Sequence, residues 1–125
     1  MDDIFSSILG ADEEMLSEAV FALNAKTDRD DETLWLPLIV HLQDTAAVME
    51  YLLRHWLPEQ YCEGLDLNRE EFFQLALFTA FVHDIGKATP SFQRKITRQR
   101  EILGYRLEKN GLIDQAMAWD KELPH

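Results

Sequence analysis

An all-α fold is predicted by three features of the sequence. Over residues 37–56, Leu38, Leu42, Met49, Leu52, Leu53 and Trp56 recur at three- and four-residue spacing, the period of an amphipathic helix. Asn68-Arg69-Glu70-Glu71 places a capping residue three positions before a glutamate, immediately ahead of the apolar run Phe72 to Val82. No segment alternates apolar and polar residues as a half-buried strand would, and no repeat or low-complexity stretch interrupts the chain.

Taken in order, residues 12–23 read as a short helix. Acidic side chains fill its first turn, and Met15, Leu16, Ala19, Val20 and Leu23 form one apolar stripe. Asn24 to Thr33 reads as a polar loop with an acidic cluster at Asp28, Asp30, Asp31 and Glu32. The helix over 37–56 has Pro37 at its first position and is stopped by Pro58. Glu59 to Asp66 is a linker. From Phe72 to Val82 the capped helix is apolar nearly all round, which predicts burial on all sides and a central place in the domain, with Gly86 as its stop. Thr89-Pro90 restarts helix, expected to run to Lys109 and to end at Asn110-Gly111. A last short helix is expected over Leu112 to Trp119.

A chain of 125 residues, 46% hydrophobic, fits one domain with an ordinary core. The apolar runs are too short to span a bilayer, and Met1-Asp2-Asp3 lacks the basic start of a signal peptide, so a cytoplasmic, membrane-free setting is expected. The single cysteine, Cys62, reads as an inert thiol. The net charge of −11 is unevenly spread. Residues 1–71 carry 17 acidic and four basic side chains, whereas residues 87–109 carry seven basic and two acidic ones. A charged partner responds to such local sign, because fields are screened over about 10 Å. A solvated helix face would explain the basic run equally well.

His83-Asp84, at the end of the apolar run and followed by Gly86-Lys87, is the pair with chemical content. A carboxylate there needs a partner or solvent. Asp84 could pair with Lys87, could be exposed at the helix end, or could share a divalent metal with His83. Adjacent helical residues point about 100° apart, so a shared ion must sit near the helix end. His41 lies on the side of its helix shared with Thr45, Val48 and Leu52. By itself it reads as a core histidine, a reading that a partner elsewhere would reverse.

Taken together, these stretches resemble a known family. LPLIVHLQDTAAVMEYLLRHWLP, residues 36–58, and FTAFVHDIGKATPSFQ, residues 78–93, are similar to the HD nuclease domain of the type I CRISPR-associated nuclease–helicases, within the HD metal-dependent phosphohydrolase superfamily. The likeness runs from Leu34 to about Gln99, with a weaker match at Leu123-Pro124-His125. It implies an HD-type helical bundle in residues 34–125, preceded by a variable helix and acidic loop in residues 1–33. It implies His41, His83 and Asp84 as metal ligands, Asp84 bridging two ions, Lys87 near the scissile phosphate and His125 as a ligand of the second ion. The family also uses two further histidines and a distal aspartate, which do not occur in matching contexts here. An incomplete N-terminal portion of the domain is therefore expected, with weak or single-ion occupancy and little activity alone.

The resemblance further implies two divalent ions (Mn, Mg, Co, Ni or Fe) and single-stranded DNA as substrate. The implied partners are the remaining HD and helicase portion of the same protein and a CRISPR surveillance complex. Arg94, Lys95 and Arg98 on the basic helix are candidates to guide the strand, with Phe92 or Tyr105 as stacking platforms, although aromatics at helical spacing are more often core. Two other readings stand beside this one. One is an HD phosphohydrolase acting on nucleotides; the other is a non-catalytic module that docks on a partner.

Overall fold

The computed structural model describes residues 18–56 and 60–114. The order is α1 (Glu18–Ala22), β1 (Asn24–Thr27), β2 (Trp35–Pro37), α2 (Leu38–Trp56), α3 (Gln60–Glu63), α4 (Arg69–Val82), a 3₁₀ turn (Ile85–Ala88), α5 (Pro90–Thr97) and α6 (Glu101–Lys109). The fold is a helical bundle with one small hairpin, as the helical periods predict. No helix among the described residues is long and apolar enough to cross a membrane.

The hairpin is the main departure from expectation. β1 and β2 pair antiparallel, with Asn24 opposite Pro37 and Thr27 opposite Trp35, and the register shifts between Asn24 and Lys26. The loop reading of residues 24–33 and the absence of strands are therefore corrected. These strands have three or four residues, too few for alternation to show, and β1 is fixed from outside. Asn24 is fully buried and hydrogen-bonds to Gln93, 69 residues away. The acidic stretch beyond β1 is ordered by its own carboxylates. Asp28 accepts from the amides of Asp30 and Asp31, and Asp31 accepts from the amide and hydroxyl of Thr33.

Pro37 closes β2 instead of opening the helix; α2 begins at Leu38, whose amide donates to Leu23 O at 2.8 Å. Of the expected stripe, Leu38, Leu42 and Leu53 are buried together with Ala46, while Leu52 and Trp56 are exposed. The linker holds the one-turn helix α3, which buries the free thiol of Cys62. At the start of α4 the reciprocal cap is present. The Asn68 side chain accepts from the Glu71 amide, and the Glu71 carboxylate accepts from the Asn68 amide, both at 2.9 Å.

α4 packs antiparallel on α2. His41, near the start of α2, meets Asp84, just past the end of α4, while Arg54 near the other end of α2 lies 5.1 Å over the Phe73 ring. Burial on all sides is not what the described residues show. Leu77 and Ala80 are buried, but Leu75 and Phe78 stay about half exposed. A helix without a polar face can still pack on one side only, when one neighbour covers one face. Phe81 at the end of α4 joins the core of Ala25, Leu38 and Leu42, as does Ala88 from the 3₁₀ turn.

Gly86 is not the helix stop. The chain stays right-handed through His83 (φ −53°, ψ −34°), turns at Asp84 (φ −108°, ψ 14°) and enters the 3₁₀ turn that contains Gly86. Pro90 opens α5 as expected, but the Thr89 hydroxyl donates back to Gly86 O and makes no cap bond. The helix expected over 90–109 is broken at Arg98–Arg100. Arg100 is extended (φ −130°, ψ 88°), and its guanidinium donates to Asp28 O at 2.6 Å, tying the break to the hairpin loop. A tertiary bond of this kind leaves no local trace in the sequence.

α6 ends at Asn110-Gly111 as expected. Gly111 has φ +70°, its amide donates to Glu108 O, and the Leu112 amide donates to Leu107 O, a Schellman closure. Leu112–Asp114 is not helical, and the rest of the expected last helix lies outside the described residues, as do residues 12–17 of the first. α6 meets the hairpin through Arg106, whose guanidinium stacks 3.6 Å from the Trp35 ring centre.

Candidate metal centre

The antiparallel packing of α2 and α4 brings together side chains 42 and 43 positions apart in sequence. His41 Nε2 lies 2.9 Å from Asp84 Oδ2, and His83 Nε2 lies 3.2 Å from the same oxygen. The two imidazole rings are 5.5 Å apart and tilted by 58°. One ligand atom from each of the three residues lies within 4.8 Å of the others. Asp84 can turn toward His83 because it has already left the helix, which removes the divergence that adjacent helical residues would have. His41 is thus not a core histidine: it has the partner that its position on α2 lacked.

Backbone hydrogen bonding fixes how His83 presents itself. Its Nδ1 lies 2.7 Å from Ala80 O. A carbonyl oxygen only accepts, so Nδ1 carries the proton, and in the neutral ring Nε2 carries the lone pair. That lone pair faces the Asp84 carboxylate oxygen, another acceptor, at 3.2 Å. Such a juxtaposition calls for a cation between the two, or a second proton on the ring. A histidine donating one nitrogen to a backbone carbonyl while offering the other is the usual posture of a metal ligand. Two imidazole nitrogens and a carboxylate oxygen, on a partly exposed surface, fit a divalent transition ion.

Lys87 completes the cluster from the 3₁₀ turn. Its ammonium donates to Asp84 Oδ2 at 2.6 Å, so the simple Asp84–Lys87 pair weighed from the sequence is present as well. The Lys87 hydrogen bond holds the Asp84 carboxyl below its ordinary value of 3.8. Burial opposes this; the His41 bond and the charges of Lys87 and His83 add to it. Three nitrogens gathered on one oxygen make Asp84 the hub of the site.

The remaining candidates are dispersed. Lys95 and Arg98 are exposed, while Arg94 is half-buried and donates to Asp114 O at 2.7 Å. Phe92 is half-buried with Lys87 Nζ 5.9 Å from its ring centre, and Tyr105 is exposed. His125 lies outside the described residues. Sequence reasoning missed Gln93 and Asn24, both fully buried and joined beneath the turn that carries Lys87. The signal available was position alone, since Gln93 closes the HDIGKATPSFQ stretch.

Residues 25–125 match the family described as Cas3, HD domain. The chain belongs to that family. The match takes in residues 25–27 of β1 and both residues of the HD pair, and it extends past Gln99 to His125. Among curated proteins, the CRISPR-associated nuclease/helicase Cas3 of Streptococcus thermophilus is 43% identical over 75 residues, 54% of this chain and 8% of that protein. The CRISPR-associated endonuclease/helicase Cas3 of Thermus thermophilus is 37% identical over 81 residues, 62% of this chain and 8% of that protein. The matched part of this Cas3-type HD chain thus spans under a tenth of the length of either relative. No solved structure matches it significantly.

Proposed function

We propose that this chain is the metal-binding part of a nuclease that hydrolyses phosphodiester bonds of single-stranded DNA in CRISPR interference. The observation that carries the reading is the convergence of His41, His83 and Asp84 on one point, with Lys87 on the same carboxylate. The names of the two relatives supply the nuclease class. His41 Nε2, His83 Nε2 and Asp84 Oδ2 would hold a first divalent ion. His125 enters as a ligand of a second ion on resemblance alone. A divalent ion supplies Lewis acidity, activating water and neutralising charge on a phosphodiester.

The chain's own residues do the rest. The Ala80 carbonyl keeps the His83 proton on Nδ1, leaving Nε2 to bind. Lys87 places a positive charge beside the carboxylate, where it would neutralise charge developing on a non-bridging phosphate oxygen. Lys95 and Arg98 are exposed and available to the strand's phosphates; Arg94, bonded to Asp114 O, is the weaker candidate. The helicase-bearing remainder found in the relatives, a surveillance complex and a cytoplasmic setting belong to the same proposal.

The test is Mn²⁺-dependent cleavage of a labelled single-stranded oligonucleotide, by this chain or by a longer polypeptide that carries it. Asp84→Ala should abolish the cleavage. An Asp84→Ala protein with full activity would sink the assignment, and turnover of small nucleotide phosphoesters without strand cleavage would favour the nucleotide phosphohydrolase reading instead.

A further inference from the structure

Beneath the metal cluster lies a polar group that the proposed chemistry does not use. Gln93 is fully buried on α5, and every hydrogen-bonding position of its amide is filled. Nε2 donates to Lys87 O at 2.7 Å and to Asn24 O at 2.9 Å. Oε1 accepts from the Asn24 amide at 2.8 Å and from Asn24 Nδ2 at 3.1 Å. Two carbonyls on one side and two N–H donors on the other leave a single possible orientation of the amide. Asn24 is less well served, since its own Oδ1 has no partner among the described residues.

We infer that Gln93 is a positioning residue for the metal centre, holding the Ile85–Ala88 turn against β1 so that Asp84 keeps its place beside His41 and His83. The inference rests on the metal reading above. The mechanical link is short. The Lys87 amide donates to Asp84 O at 2.9 Å, so fixing the Lys87 carbonyl fixes the turn by which the chain leaves Asp84. The same turn is pinned on its apolar side by Ala88 in the core. Glutamate could still accept from the Asn24 amide and Nδ2 but would lose both donors, to Lys87 O and to Asn24 O, and asparagine is one methylene too short.

The experiment compares Mn²⁺ binding by calorimetry in the wild-type chain, Gln93→Met, Asn24→Ala and Asp84→Asn. Methionine keeps the volume of glutamine and removes both donors. Gln93→Met should bind Mn²⁺ about tenfold more weakly, the scale of losing a supporting partner. Asn24→Ala should lose thermal stability yet bind within about threefold of wild type, because β1's backbone still holds Gln93. Wild-type affinity in Gln93→Met overturns the inference, as does an equal loss in Asn24→Ala, which would mark a general weakening of the fold.

Should Gln93→Met fail to fold, the wild-type chain decides. The Gln93 side-chain amide signal in NMR spectra should shift on titration with diamagnetic Zn²⁺, and an unmoved signal overturns the inference. Asp84→Asn separates the two levels of argument. If it binds like wild type, the metal reading itself falls and takes the inference with it. If it loses binding while Gln93→Met does not, the inference fails alone.

Discussion

Replacing Lys87 by methionine should tighten the binding of the first divalent ion, although lysine is the residue assigned to the phosphate. The sign follows from the crowding on one oxygen. Lys87 Nζ is 2.6 Å from Asp84 Oδ2, the atom that an ion held by His41 and His83 would share. A metal–carboxylate bond of about 2.2 Å then places the ammonium no more than roughly 4.8 Å from the ion while both contact that oxygen. In water's dielectric, charges of +2 and +1 at that separation repel by about 1.7 kcal/mol. Physiological salt reduces this to about 1 kcal/mol. The high-dielectric figure is the suitable one, since both side chains keep about a quarter of their surface in solvent. Lys87→Met should therefore lower the Mn²⁺ dissociation constant about fivefold in a calorimetric titration at about 0.15 M salt. Strand cleavage should fall in the same variant, because the charge facing the phosphate is gone. An unchanged or weaker Mn²⁺ affinity would refute the reasoning, since it would mean that the ion does not share Asp84 Oδ2 with the lysine.

Three other outcomes test the fold that carries the site. Asn68→Ala removes one half of the reciprocal cap of α4 and should cost about 1 kcal/mol, read as a fall of roughly 4 °C in the melting midpoint by circular dichroism. Leu77→Ala, at a position 1% exposed, should cost about 2–5 kcal/mol in urea unfolding, while Leu75→Ala, at 54%, should stay within about 0.5 kcal/mol. The hairpin loop should loosen in acid. Backbone amides hold the Asp28 carboxyl below its ordinary value, and the Thr33 hydroxyl and amide do the same for Asp31. A depressed carboxyl stabilises the fold above its ordinary value of 3.8, and this contribution disappears as pH falls through the lower folded-state value. Exchange protection of the Asp30, Asp31 and Thr33 amides should be lost in that range, and protection unchanged down to about pH 2 would contradict it.

The helices were legible where local chemistry decides them. The Asn68–Glu71 cap and the Asn110-Gly111 stop are self-contained, and both stand where the sequence places them. The break at Arg98–Arg100 and the strand at Asn24–Thr27 were not, because each depends on a partner about 70 residues away. The HD pair could be recognised from its flanking residues. Its working geometry could not, because the tautomer of His83 is set by the Ala80 carbonyl and the placing of Lys87 by a side chain on the following helix. The apolar run of α4 also pointed to burial all round. Apolar composition shows what a helix can bury, not which faces its neighbours cover.

The chemistry of the site depends on where α4 stops. Had the helix run one turn further, His83 and Asp84 would point about 100° apart, as adjacent helical residues do. The departure at Asp84 brings the carboxylate round into a short 3₁₀ turn, joined to its flanks by the Lys87 amide on Asp84 O and the Thr89 amide and hydroxyl on Gly86 O. Such a turn would sample several shapes if left alone. Ala88 in the apolar core and Gln93 on the Lys87 carbonyl restrict it from outside. The hairpin, which contributes no ligand, supplies the wall behind both, through Ala25 and Asn24. The proposed ligands sit on α2 and at the end of α4, but the ground on which Asp84 is held starts at β1.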